Sequence, residues 1–308
     1  MLTEQTILRA SIGITCIIAV SGIVFGLLSG SFSIAFDGVY ALADAGMTAV
    51  ALGVSHLIVK SAQNDALSGK LRNRFTVGFW HLEPMVLGLN GTILISVAIY
   101  ALINAILTIQ GGGRELEFGY AIAYAATTLA VCLVMAGLER RANRRIQSDF
   151  LKLDIQSWVM SGAISAALLV AFGIGYAVRG TPLDWIAPYI DPAVLAVISI
   201  AIIPIPIATV RQAVADMLLL APADLRAHVE QVATETVARH GFLGFRAYVA
   251  KVGRAKQIEI YFIVARGGPA RRLEEWDRIR DEIGEAIGDE SSNRWLTIAF
   301  TTDSEWAV

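Results

Sequence analysis

Phe36 to Asp44 reads FDGVYALAD, and within it Asp37, Tyr40 and Asp44 follow one another at spacings of three and four. At 100° per residue they fall on one face of a helix, with Asp37 about two turns from Asp44. The run that holds them, Ser31 to Val59, is otherwise apolar enough to cross a bilayer. A charge at mid-bilayer costs roughly 2.5–3.5 kcal/mol on insertion scales, so two carboxylates on one face need a partner. Two readings stand side by side. In one, the acids are protonated or hydrogen-bonded and serve helix packing. In the other, the carboxylates and the phenol hold a cation, which is the commoner meaning of intramembrane acids.

A cation needs more oxygen than one helix carries. The segment LKLDIQSWVMSG supplies it, with Asp154, Ser157 and Ser161 at helical spacing and Trp158 alongside. Asp154 reads equally as a solvated residue at a helix end, and Ser157 and Ser161 as the small hydroxyl residues that line helix contacts in membranes. None of the four histidines, His56, His81, His228 and His240, lies near the middle of an apolar run on this stripe. The expected ligand set is therefore oxygen-rich: Asp44, Asp154 and the Tyr40 phenol, joined by Ser157 or Asp37. Such ligands suit manganese or iron(II), while the affinity order also admits zinc and cobalt. The expected ligand is a divalent transition metal, its identity open, and no cofactor is expected. A metal requires deprotonated carboxylates, so its binding releases protons.

The elements that must position these residues come from hydropathy. Of 308 residues, 55% are hydrophobic and 17% charged, with a mean hydropathy of +0.59. That balance favours a membrane protein. Six windows reach the length of about 20 apolar residues that a spanning helix needs: roughly 7–29, 33–59, 84–109, 117–138, 150–178 and 192–213. The connection after the second carries Lys60, Lys70, Arg72 and Arg74, and the one after the fourth Arg140, Arg141, Arg144 and Arg145. The others hold one cation each at most, Arg114 and Arg179 among them. Positive connections stay in the cytoplasm, so both termini are expected there, with the chain embedded in the cell membrane.

Residues 222–308 contain 14 Asp/Glu and 12 Lys/Arg, half of all the charged residues. The expected division is a membrane domain over 1–216 and a cytosolic domain over 217–308. Periodicity in the latter predicts a helix over 224–239, strands FRAYVAKVG and QIEIYFIVA, a helix over about 271–287, and a last strand RWLTIAF. The order αββαβ is that of a small α+β sandwich. A net charge of −2 argues against nucleic acid as a partner. Cys16 and Cys132 lie in apolar runs and read as buried thiols, and the first apolar run lacks the flanks of a cleavable signal peptide.

These features resemble one family, the cation diffusion facilitators, which export divalent metal by proton exchange. SFSIAFDGVYALAD resembles the family's second span, where an early Asp precedes a [His/Asp/Tyr]-x-x-x-Asp pair. Tyr40 and Asp44 fall on that pair and Asp37 on the upstream Asp. RFTVGFWHLEPM, Arg74 to Met85, resembles the segment leading into the family's third span, with Gly78, Glu83 and Pro84 its most specific part. APYIDP, Ala187 to Pro192, and LLLAP look like one branch of the family. The resemblance implies a ferredoxin-like or metallochaperone-like tail and a homodimer. The fifth span departs from the usual His-x-x-x-Asp: Leu153 and Ser157 stand there, with Asp154 one step along. The branch pattern of an acid, Trp four later and an acid three after that is met by Asp154 and Trp158 and not by Ser161. His81 and Glu83 read either as structural or as a cytosolic loading station. The tail lacks the family's terminal His, which points to dimerisation with little metal sensing. A rival reading is a membrane-anchored regulatory protein that binds metal without moving it. An enzyme is disfavoured, because no Ser/His dyad, HExxH or phosphate loop is present.

Overall fold

The computed structural model describes residues 4–62, 79–146, 149–253, 255–291 and 293–307. Among the described residues, six helical spans are long and apolar enough to cross a membrane. They are α1 (Glu4–Ser29), α2 (Phe32–Ala62), α3 (Leu82–Gln110), α4 (Phe118–Ile146), α5 (Asp149–Val178), and a sixth shared by α6 (Ala187–Ile202) and α7 (Pro204–Met217). A helix satisfies its backbone internally, which is what hydrocarbon demands. Lys70, Arg72, Arg74 and Gly78 lie outside the described residues.

Two expected boundaries move. The ERRANRR run, read as a connection, is helical through Ile146. Glu, Arg and Ala are good helix formers, and nothing in the run breaks a helix. The sixth span is interrupted at Ile203. Pro204 and Pro206 follow it, and proline lacks the amide hydrogen that a continuous helix would use.

Contacts divide the chain into two units, Met1–Val50 with Leu89–Ala208, and Ala51–Gly88 with Thr209–Val308. In the first, α1 and α2 cross with almost no space between backbones. A β-carbon on Gly38 would lie 2.6 Å from the Ala19 carbonyl oxygen, and one on Gly26 would lie 2.5 Å from the Ala35 nitrogen. Small residues permit this approach, as they do generally between membrane helices. The start of α2 is capped from α6. Buried Asp191 accepts hydrogen bonds from the Ser31 hydroxyl (2.6 Å) and from the amides of Phe32 (3.0 Å) and Ser33 (3.3 Å). Its backbone carbonyl takes the Ser33 hydroxyl at 2.9 Å. An anion at a helix N-terminus satisfies orphan amides and complements the dipole. Cys132, Met135 and Ala136 of α4 bury Trp158 of α5.

In the second unit the tail is α8 (Ala223–His240), β1 (Gly244–Val252), β2 (Ala255–Ile263), α9 (Leu273–Ile287) and β3 (Arg294–Thr301). This is the αββαβ order expected. The sheet runs β1-β2-β3, with β1 antiparallel and β3 parallel to β2. Alternation places Ile258, Ile260 and Phe262 against Val229, Ile279 and Ile283 of the helices. Elsewhere in this unit the Trp80 ring stands edge-on to Trp295, with centroids 6.3 Å apart. Gly253 turns the β1–β2 hairpin at φ +61°, and a β-carbon there would lie 2.8 Å from Glu83 Oε2 and 3.2 Å from Pro84 Cδ.

Candidate metal centre

One cavity of about 260 Å³ in the first unit is lined by all five sequence-predicted residues, Asp37, Tyr40 and Asp44 from α2 and Asp154 and Ser157 from α5. Ser161 and Trp158 also line it. The i, i+3, i+7 spacing sets the α2 residues along one wall, as helix geometry requires. Asp37 is half-buried and accepts a hydrogen bond from the Tyr124 hydroxyl of α4 at 3.2 Å. Tyr40 is half-buried, its ring 5.6 Å from that of Phe36. Asp44 and Ser157 are exposed and Asp154 is half-buried. The residues share a cavity without sharing a coordination shell. Among the described residues, no three His, Cys, Asp or Glu side chains stand close enough together to hold one ion.

The fourth helix is the wall that sequence reasoning missed. Thr128 and Cys132 line the same cavity, and Tyr124 reaches Asp37. A thiol therefore borders a site expected to offer oxygen alone. Glu139, read as part of a charged connection, is 1% exposed within α4. The Trp158 indole nitrogen donates to Glu139 Oε1 at 3.1 Å and to the Ser11 hydroxyl of α1 at 3.0 Å. The Glu139 carboxyl lies beside that of Asp154. The signal that could have found it is periodicity: Tyr124, Thr128, Cys132 and Glu139 fall within an 80° sector of the helix.

The histidines lie elsewhere. His56 and His81 are exposed near helix ends. His228 Nε2 is 3.2 Å from the Ile287 carbonyl oxygen, and His240 is 3.3 Å from Glu282 and stacked on Phe242. In the tail, the Lys256 ammonium donates to Asp289 at 2.7 Å and holds that carboxyl below the usual carboxylate range. Glu83, in the first turn of α3, lies against the Gly253 turn.

Residues 8–218 match the family model described as the cation efflux transmembrane domain. No curated protein matches the sequence.

Proposed function

Because this chain belongs to the cation efflux family, whose members are transporters, we propose that it exports a divalent transition metal in exchange for protons, using the cavity between α2 and α5. The observation that carries this reading is the convergence of Asp37, Tyr40, Asp44, Asp154 and Ser157 on that one cavity. Carboxylate, phenol and hydroxyl oxygens accommodate manganese, iron(II), zinc or cobalt, and the neighbouring Cys132 thiol suits the softer of these. A metal requires Asp44 and Asp154 as anions, so loading releases protons. After the metal leaves toward the outside, the vacated acids take up protons from that side and carry them inward. The separation of the acids fits this cycle: closing the cavity brings ligands together, and opening it parts them. The termini face the cytoplasm and the tail joins two copies, readings supported by the cationic connections and by the αββαβ tail.

The test uses proteoliposomes carrying a pH-sensitive dye and a metal reporter. Metal flux accompanied by opposite proton flux is expected, with both lost in Asp44→Asn. Metal flux that moves no protons, or that persists at the wild-type rate in Asp44→Asn, would overturn the mechanism.

A further inference from the structure

We propose that Glu139 of α4 is a direct ligand of the transported dication, forming with Asp154 of α5 a carboxylate pair that the ion bridges. This rests on the reading of Asp154 as a ligand and adds a third ligand-bearing helix to the site.

Glu139 is 1% exposed, inside a segment apolar enough to span a membrane. One of its oxygens is accounted for: Oε1 accepts from the Trp158 indole, whose hydrogen is shared with Ser11. The other, Oε2, is buried and has no hydrogen-bond partner, and the same is true of Asp154 Oδ2. The two groups are neighbours. Among the described residues neither has an ion-pair partner. Two ionised carboxylates are acceptors only, so the pair is satisfied either by one shared proton or by a cation between them, and a departing proton leaves the place that a metal ion takes. Like charges brought together in a low dielectric need a positive charge between them.

Position supports the same conclusion. Asp154 lines the α2–α5 cavity and its carboxyl adjoins that of Glu139, which stands behind the lining on α4, so an ion held on the α4 side of Asp154 comes within reach of Glu139. Trp158 fixes the orientation of Glu139 through the oxygen that the ion does not use. Partners of this kind aim a ligand at its metal. The polar stripe of α4, from Tyr124 beside Asp37 to Glu139 beside Asp154, spans both ends of the ligand set. The ion thus meets α4 as well as α2 and α5.

Equilibrium dialysis of manganese(II) and zinc(II) against the purified full-length protein tests this. Glu139→Gln keeps the size and the Trp158 contact but removes the charge, and it is expected to weaken binding of both metals at least tenfold. Glu139→His is expected to shift preference toward zinc by tenfold or more, because imidazole favours it over manganese. A residue acting only through Asp154 would not move that preference. Wild-type affinity in Glu139→Gln, or an unmoved preference in Glu139→His, overturns the inference. It leaves the α2–α5 site standing if Asp44→Asn and Asp154→Asn still weaken binding. If those two variants bind as wild type does, the proposed function falls and this inference with it. Should Glu139→Gln not fold, Glu139→Asp decides: the charge is withdrawn by one methylene, so threefold weaker binding supports the pair and unchanged binding overturns it.

Discussion

At the scale of single residues, Tyr124 holds the carboxyl of Asp37, one of the proposed ligands. Its hydroxyl donates to Asp37 Oδ2 at 3.2 Å and so fixes the carboxyl that lies nearest the start of α2. Residues that orient ligands contribute about 10–100-fold to metal affinity or activity, and the length of this bond places it at the low end. Tyr124→Phe is therefore expected to raise the KM for metal about tenfold while the maximal rate changes little, as measured by initial rates of metal flux into vesicles. Asp37, Tyr40 and Asp44 were legible in the sequence because polar residues at three-and-four spacing stand out in an apolar run. Glu139 was not. Its neighbours in ERRANRR give it the look of a solvated connection, and the packing of α1 and of Trp158 against α4 surrounds it instead. Cys132 was legible as a buried thiol, but its place on the cavity wall depends on the rotation of α4 against α2 and α5.

At the scale of elements, the placement of α2 matters most, because that helix carries three of the five predicted ligands. Two devices hold it: the close crossing with α1 at Gly38 and Gly26, and the cap from Asp191. Removing a buried acceptor that serves three donors leaves them unsatisfied, at about 1–3 kcal/mol. Asp191→Ala is expected to lower the midpoint of thermal unfolding of the detergent-purified protein, and Asp191→Asn to lower it less, since the amide oxygen still accepts. Gly38→Val meets a harder obstacle, for the carbonyl of Ala19 is backbone and cannot turn aside. It is expected to reduce the yield of folded protein, read as the monodisperse fraction on size exclusion. The six spans and the order of the tail were legible because hydropathy and period-two alternation are local properties. The partner of Asp191 lies about 160 residues away in the chain. APYIDP thus reads as a motif in sequence and acquires a role only in three dimensions. The break at Ile203 was written in Pro204 and Pro206, yet a hydropathy window averages over prolines and draws one span.

At the scale of the whole molecule, the proposed transport cycle predicts that binding and movement of the ion respond to different substitutions. Every predicted ligand lies in the first unit, whereas the second gathers the start of α3 with α7 and the tail. Within that second unit the residues of the FWHLEP segment meet the sheet twice, Trp80 on Trp295 and Glu83 with Pro84 on the Gly253 turn. A change in the turn therefore perturbs the base of α3 without touching a ligand. Gly253 adopts a left-handed backbone that other residues take only at a cost of about 1 kcal/mol. A methyl group there also crowds Glu83 and Pro84: the Glu83 carboxylate can swing aside, but the contacts at 3.2 Å to Glu83 Cβ and Pro84 Cδ require the turn and the start of α3 to give slightly. Gly253→Ala is expected to slow metal flux several-fold while leaving equilibrium metal binding within twofold of wild type. Vesicle uptake and equilibrium dialysis on one preparation check both halves. Loss of binding in step with flux would mean that the tail acts on the site itself. Loss of flux alone assigns the tail to the motion that carries the ion across.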